Sequence, residues 1–539
     1  MQIKTRAVAN GKPSLSNYQI RQTWQDVILP DSSLAAASFQ TTLVDLLQAA
    51  PGNSTAVIIP ELGVRVSYDS LLQQVMSMAE ALARCGIQRG DRVAMALPNG
   101  MPAIASFLAA SVAGTAAPLN PAYPYEEFVF FLRDTSARVL LCPPSDYEGA
   151  RSAAADCGIP VLSVDMKSEG TVHLMDLERG SSPTMPSPDD VALILHTSGS
   201  TGRPKRVPLR QSNLAYSAAN IAETYNLSSE DVGLCIMPLF HIHGLVASTL
   251  ATLRSGGTVV APTKFKPLSF WRTVREYGVT WYSGVPTMHQ LLLARTREER
   301  PSDAGTLRFI RSCSAPLAIE VIHRMEEVFG VPFVEAYGMT EASHQMSANP
   351  LPPAVCKHGS VGRATGIRIS IMDSEGNRLA PKERGEVVIQ GLSVFQGYEN
   401  NHEANDCSFV DGWFRTGDQG FLDDDNYLHL TGRIKDLIIR GGENIAPREI
   451  DEVLLRHPAV SEAVTFGFDH PTLGEEVAAA VVLHDAQNTS EGELIGFCRE
   501  RLAEFKCPKK IYIVEDIPTT ATGKIRRRAV ATALLDNPG

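Results

Sequence analysis

The chain is poor in the features that mark several large protein classes. Its nine cysteines (Cys85, Cys142, Cys157, Cys235, Cys313, Cys356, Cys407, Cys498 and Cys507) are scattered, odd in number and never spaced CxxC. That spacing suits neither a zinc site nor a disulfide framework, and it points to a reducing, intracellular compartment. Basic charge is also short: 49 Lys and Arg stand against 60 Asp and Glu, a formal charge of −11. A nucleic-acid binder needs a basic face to neutralise phosphates, so no nucleic-acid partner is expected. The uncharged, largely apolar run Ala103 to Leu119 is rich in small residues and ends beside Pro118. It is too short and too weakly apolar for a membrane span and reads as a buried helix. No internal repeat or low-complexity tract is present. The first 25 residues contain no acid but carry Lys4, Arg6, Lys12 and Arg21 without a clear amphipathic repeat. A variable N-terminal arm is expected over residues 1–35. The chain ends in DNPG rather than a peroxisomal SKL-type address.

At 539 residues the chain is too long for one compact core. From Val191 to Tyr337 the pattern is strand, loop, helix, repeated. VALILH ends in a glycine-rich loop, and Ser212 or Asn213 is expected to cap the following helix. GTVVAP, VTWYS, RFIRSC and PFVEAY follow as strands, with helices over Leu268–Tyr277, Thr287–Arg295 and Ile319–Phe329 between them. Such alternation predicts an α/β fold in which parallel sheet layers are covered by helices, with ligands beyond the strand C-terminal ends. After Gly366 the order changes to antiparallel strands, RISIMDSEGNRLA and GEVVIQG. From Lys435 a small α+β unit of its own begins.

The most chemically loaded segment is TSGSTGRPK, Thr197 to Lys205. Glycine permits the tight, positive-φ turns that aim successive amide N–H groups at an anion. Hydroxyls and Lys205 add donors and charge. A Walker loop is excluded because Pro204 precedes the lysine. Taken alone, the stretch reads equally well as a flexible polar surface loop.

It does not stand alone. TSGSTGRPK, PLFHIHG (Pro238–Gly244), EAYGMTE (Glu335–Glu341), WFRTGD (Trp413–Asp418), GRIKDLIIRGGENI (Gly432–Ile445) and TATGKIRRR (Thr520–Arg528) occur in this order. In sequence and spacing they resemble the motifs of the adenylate-forming superfamily of acyl-CoA synthetases, peptide-synthetase adenylation domains and beetle luciferases. The resemblance covers residues of about 40 to 532. It implies a large N-terminal domain of layered mixed sheets with helices and a β-barrel-like subdomain, and a small mobile α+β C-terminal domain. The expected boundaries are 36–432 for the AMP-binding domain, 433–435 for a hinge and 436–539 for the C-terminal domain. The implied chemistry is attack of a carboxylate on the α-phosphorus of ATP, followed by transfer of the acyl group to coenzyme A.

The resemblance also carries roles, residue by residue. Thr197, Ser198, Gly199, Ser200, Thr201, Gly202 and Lys205 would hold the phosphates. Ser314, Ala315 and Pro316 would lie on the adenine side, with Glu335, Ala336, Tyr337, Gly338, Met339 and Thr340 continuing the nucleotide site and Tyr337 as adenine platform. Glu341 would hold Mg²⁺, a hard cation that prefers carboxylate oxygen. Asp418, in a glycine-bounded turn, would accept both ribose hydroxyls, and Arg433 would contact ribose or phosphate. Lys524 would reach the α-phosphate during adenylation. The hinge at Lys435 would then turn the C-terminal domain, withdrawing Lys524 and presenting Arg440, Gly441 and Gly442 to the pantetheine thiol.

The acid is constrained further. FHIHGLVAST has no aspartate to pair an α-ammonium, so amino acids are disfavoured. His241 matches the family's gate. VPLRQSNL, MPLFHIHGL, SCSAPL, TEASHQMSANPLPP and AEFKCPKK resemble plant and fungal oxalate–CoA ligases. That implies a constricted pocket in which His241, His243, Ser312, Ser314 and His344 supply donors. Gly338 stands where this branch often has alanine, and it would give room for a longer acyl chain. Asn444 replaces the usual lysine of the branch, and Arg206 replaces the superfamily's common glycine. A ligase for another short, dicarboxylic or specialised-metabolism acid, a luciferase-like oxygenase and a non-catalytic nucleotide binder stay open. Oligomeric state is not legible.

Overall fold

The computed structural model describes residues 41–175, 183–197, 204–296, 305–484, 487–519, 525 and 527–536. The expected arm, the loop residues Ser198 to Gly202 and Lys524 lie outside them.

The uncharged run near residue 103 is a helix and a strand, not one helix. Met101–Ala113 is helical and nearly all buried, while Thr115–Pro118 is a strand buried at every position. The break falls at Gly114, where a Cβ would stand 2.6 Å from the Asp91 carbonyl oxygen. Small side chains let helix and strand be buried together; burying Phe107 alone stabilises by about 2–3 kcal/mol. The strand sits between Arg92–Met95 and Val191–Thr197 in a seven-stranded sheet.

A second sheet has nine strands. Its parallel centre is Val232–Leu234, Trp281–Gly284, Phe309–Ser312 and Phe333–Met339, and His344–Ala348 returns antiparallel to the last. The strand-and-helix series from Val191 therefore divides between two sheets: Val191–Thr197 belongs to the first and the later strands to the second. Lys205–Arg210, expected as loop, is a strand antiparallel to Val191–Thr197. The following helix, Gln211–Thr224, is capped at Arg210, whose backbone N–H donates to Asn213 Oδ1 at 3.0 Å. Asn213 thus serves from inside the first turn rather than as the cap itself.

The part after Gly366 is an antiparallel sheet of five strands, among them Gly385–Gln390, Trp413–Leu422 and Leu428–Arg433. The C-terminal part has apolar clusters built only from residues beyond Ile438, around Ile450, Leu454, Val477, Val481 and Leu494 and around Val464, Phe466 and Val530. Its sheet carries Gly474–Leu483 at the centre, with Lys510–Ile513 parallel to it. The helix Glu491–Arg499 is followed by a short 3₁₀ turn over Glu504–Lys506.

Candidate active site

One hairpin organises the site. Phe333–Met339 runs into a 3₁₀ turn over Thr340–Ala342 and returns as His344–Ala348. Tyr337, Thr340, Glu341 and His344 therefore share one rigid element. The two strands approach so closely that a Cβ at Gly338 would lie 2.1 Å from the His344 carbonyl oxygen. The glycine is set by this crossing, and the space beside it belongs to the hairpin backbone. Ser343 and His344 sit at φ of 54° and 111°, and Ser314 at 76°. Positive φ in non-glycine residues stores strain that surrounding structure must hold, and such residues cluster at functional sites. Ser343 is held on both sides, by Ser217 Oγ donating to its carbonyl and by its own Oγ donating to Ser393 O.

On the nucleotide side, the Tyr337 hydroxyl donates to Asp418 Oδ2. Asp418 is not in a turn: it lies within the strand Trp413–Leu422, directly across from Arg433. Arg433 Nε is 3.0 Å from Asp418 Oδ1. Burial and the Asp418 carboxylate push the Tyr337 phenol well above its ordinary value, so it stays a donor. The same carboxylate raises the Arg433 guanidinium. Each Asp418 oxygen has a second lone pair, which leaves two acceptors for a pair of vicinal hydroxyls. Ala336 and Met339 continue the strand, while Glu335 Oε2 accepts from Gly359 N at 3.0 Å and so braces the following loop.

The ends of the phosphate loop are cross-strand partners, Thr197 opposite Lys205. Thr197 Oγ1 lies 3.4 Å from Glu341 Oε1, and the Tyr398 hydroxyl donates to the same oxygen at 2.9 Å. Lys205 Nζ sits 4.5 Å above the Tyr398 ring. Glu341 is buried, and its surroundings are hard oxygen donors, a set that fits Mg²⁺. Behind the loop, His196 Nε2 is 2.9 Å from Asp134 Oδ2, and burial lowers the His196 pKa. Arg206 donates to the Asp134 carbonyl and lies 3.3 Å from Glu399. The arginine in place of glycine thus clamps the strand that leaves the loop.

A buried polar cluster surrounds a residue that the motifs did not flag. Arg311, in the strand Phe309–Ser312, is completely buried. Its Nε donates to the Tyr225 hydroxyl at 3.2 Å, Nη1 to Ser283 Oγ at 2.8 Å and Nη2 to Gln345 Oε1 at 3.1 Å. His243 Nε2 and His344 Nδ1 each lie 3.4 Å from its terminal nitrogens. Ser283 Oγ also lies 2.6 Å from His243 Nε2, and His243 Nδ1 faces Ser314 Oγ at 3.1 Å. Among the described residues no carboxylate forms an ion pair with Arg311, and the buried Ser312 Oγ has no hydrogen-bond partner. A buried cation among neutral partners is costly, and an anion in contact with it would offset that cost. His243 opens a π-helix, His243–Leu250, and His241 Nδ1 accepts from the His243 backbone N–H at 3.2 Å. Ala315 and Pro316 follow the strained Ser314, half-buried and exposed respectively. The signal for Arg311 was present in the sequence: an arginine inside the apolar run RFIRSC. Tyr225, Ser283, Gln345 and Tyr398 gave none.

The remaining residues lie in the C-terminal part. Lys435 is in a 3₁₀ turn, Ile434–Asp436, where desolvation and then the Arg433 charge lower its amine pKa. Arg440 forms a two-pronged pair with Glu476, at 2.6 and 3.0 Å. Gly441 and Gly442 make the two-residue turn of the hairpin Ile438–Ile445, with φ of 59° and 91°. Glycine is needed there for the turn itself; a Cβ at Gly442 would meet nothing within 4 Å.

A nucleotide-binding α/β architecture with a separate small C-terminal core is thus combined with a buried anion-seeking cluster. The AMP-binding enzyme family matches residues 46–399, and the AMP-binding enzyme C-terminal domain matches residues 449–524. The chain belongs to the AMP-binding enzyme family. It is 44% identical over 463 residues to an oxalate–CoA ligase of Arabidopsis thaliana, covering 84% of this chain and 90% of that one. It is 39% identical over 539 residues to an oxalate–CoA ligase of Saccharomyces cerevisiae, covering 93% and 98%. The crystal structure of ATP-bound MatB from Rhodopseudomonas palustris superposes with a TM-score of 0.85 at 30% identity, covering 92% of this chain and 99% of that one. The protein is an AMP-forming acid–CoA ligase, with ATP, coenzyme A and a carboxylic acid as substrates. No helix among the described residues is long and apolar enough to cross a membrane.

Proposed function

We propose that the acid is a short dianion, with oxalate the first choice. The observation that carries this reading is Arg311, buried, hydrogen-bonded to Tyr225, Ser283 and Gln345 and without a carboxylate partner among the described residues. One carboxylate of the acid would lie against Arg311, His243 and His344, leaving the other to attack the α-phosphorus of ATP. The likeness to two oxalate–CoA ligases supports the same choice.

In this mechanism Asp418 and Tyr337 fix the nucleoside, and Thr197 and Lys205 fix the ends of the phosphate loop. Bound Mg²⁺, held by Glu341, would supply charge neutralisation at the phosphates. Catalysis is then positioning plus stabilisation of developing negative charge. Lys524 contributes a further cation during adenylation. Rotation about Lys435 would exchange it for the Arg440–Gly442 turn before thiolation.

Pyrophosphate release measured with oxalate, malonate, succinate, acetate and an aromatic acid, each with and without coenzyme A, tests the reading. Oxalate is expected to give the highest kcat/KM, and CoA-dependent AMP release should follow. Preference for acetate or the aromatic acid over every dianion would overturn it. Preference for malonate or succinate would keep the dianion and discard oxalate.

A further inference from the structure

A second cluster of ligating side chains lies on the helix Ile319–Phe329 and the loop after His344–Ala348. His323 and Glu326 are three residues apart on this helix, so they share one face. His323 Nδ1 is 3.9 Å from Glu326 Oε2, and His358 Nε2 reaches the same oxygen at 3.3 Å. All three donor atoms lie within 4.8 Å of one another.

Two supports distinguish this group from a chance surface ion pair. Glu326 Oε1 accepts from the Phe333 backbone N–H at 3.0 Å, which fixes the carboxylate with Oε2 toward the two imidazoles. Behind His358, Nδ1 faces Glu335 Oε2 at 3.8 Å and Cys356 Sγ at 3.6 Å. A proton on Nδ1, directed at Cys356 Sγ with the Glu335 carboxylate close beyond, would leave the Nε2 lone pair for an ion. Glu335 is anchored in turn by Gly359 N.

We propose that His323 Nδ1, Glu326 Oε2 and His358 Nε2 bind a divalent transition-metal ion, zinc matching best. Two imidazoles and one carboxylate form a borderline donor set, whereas Mg²⁺ prefers oxygen alone, so the Mg²⁺ used with ATP does not compete. Bonds of about 2.0–2.1 Å in tetrahedral geometry place donors roughly 3.4 Å apart. The Glu326–His358 pair is already at 3.3 Å, and only His323, with a side chain 62% exposed, has to swing inward. Water or a solute takes the fourth position. The ion would tie the helix to the 349–360 loop and, through His358 and Glu335, to the strand bearing Tyr337.

The full-length enzyme, stripped of metal by chelator dialysis, is titrated with Zn²⁺ against a chromophoric chelator, and with Co²⁺ for its absorption spectrum. The wild type is expected to bind one equivalent of Zn²⁺ and to gain thermal stability on doing so. His323→Ala and Glu326→Gln should each weaken binding at least about tenfold and remove the stabilisation. Their metal-free melting temperatures should stay near wild type. Co²⁺ should give visible bands without thiolate charge transfer, which separates this site from the cysteines. No tight equivalent in the wild type, unchanged binding in both variants, or a thiolate band would each overturn the proposal.

Discussion

Arg433 stands directly across a hairpin from Asp418, its Nε 3.0 Å from Oδ1, while the Tyr337 hydroxyl holds Oδ2 from the opposite side. The carboxylate is therefore oriented by two donors on two different elements. Asp418→Asn removes the charge and turns one acceptor into a donor. The KM for ATP is expected to rise roughly 10- to 100-fold, the worth of one or two charge-assisted hydrogen bonds. The KM for the acid should stay within about threefold, since the acid touches neither oxygen. Steady-state kinetics with each substrate varied in turn decide the point; an equal rise in both KM values would disprove a ribose-specific role.

Arg311→Gln keeps a polar side chain but deletes the buried cation. For oxalate, kcat/KM should fall at least about 100-fold if the proposed charge-assisted contact in this buried site is the one that holds the acid. Arg311→Lys should recover little of it, as a point charge does not reproduce the guanidinium fork. The KM for ATP should barely change. If Arg311→Gln turns over oxalate as wild type does, the second carboxylate is bound elsewhere.

Tyr398→Phe removes the donor that holds Glu341. Loss of an outer partner of this kind costs roughly 10- to 100-fold in metal affinity. The Mg²⁺ concentration for half-maximal pyrophosphate release should rise accordingly, and saturating Mg²⁺ should restore much of the rate. A variant whose Mg²⁺ dependence matches wild type would show that Tyr398 only packs beneath Lys205.

Lys524→Ala should lower acid-dependent pyrophosphate exchange by about 100-fold or more, the scale set by losing one preorganised charge. Thioester formation from supplied acyl-adenylate should survive. Parallel loss of both half-reactions would speak against two alternating arrangements of the C-terminal domain.

His289 gives a pH dependence of stability. It is fully buried, and desolvation pushes its pKa down to about 3. Above pH 6.5 the folded and unfolded forms are both neutral and the group costs nothing. As pH falls below 6.5 the unfolded chain takes up a proton that the folded one refuses, so stability drops. By pH 4.5 the loss is roughly 2–3 kcal/mol, and it grows until the folded pKa is reached. Denaturant midpoints from pH 7 to 4.5 should fall less steeply in His289→Leu than in wild type. Parallel slopes would remove His289 as the cause.

Much of the molecule is legible in the order of its residues. The helix Ile319–Phe329 begins and ends where its sequence signals place it. The phosphate loop, the YGMTE stretch and the RTGD strand are legible only as a set: each alone has a bland reading, and their shared order and spacing carry the resemblance to the family. The failures are local rivalries. Ala103–Leu119 looks like one helix because helix and strand are equally apolar, and the boundary falls at Gly114, where the nearby Asp91 carbonyl leaves no room for a side chain. Asp418 looks like a turn residue because glycines flank it, yet it pairs with Arg433 within a sheet.

By itself the sequence determined the family to which this protein belongs, through a set of motifs in one order, and it put forward candidates for the nucleotide, the cation and the acid. Only the tertiary structure decided which of these groups meet. Arg311 reaches His243 across 68 positions and Tyr225 across 86, and Tyr337 reaches Asp418 across 81. Periodicity reports whether a residue is buried, but not beside whom, because strand order in the two sheets sets those encounters. The buried guanidinium, unremarkable in the letters RFIRSC, becomes the candidate for holding the acid only once the sheet has surrounded it with Tyr225, Ser283 and Gln345.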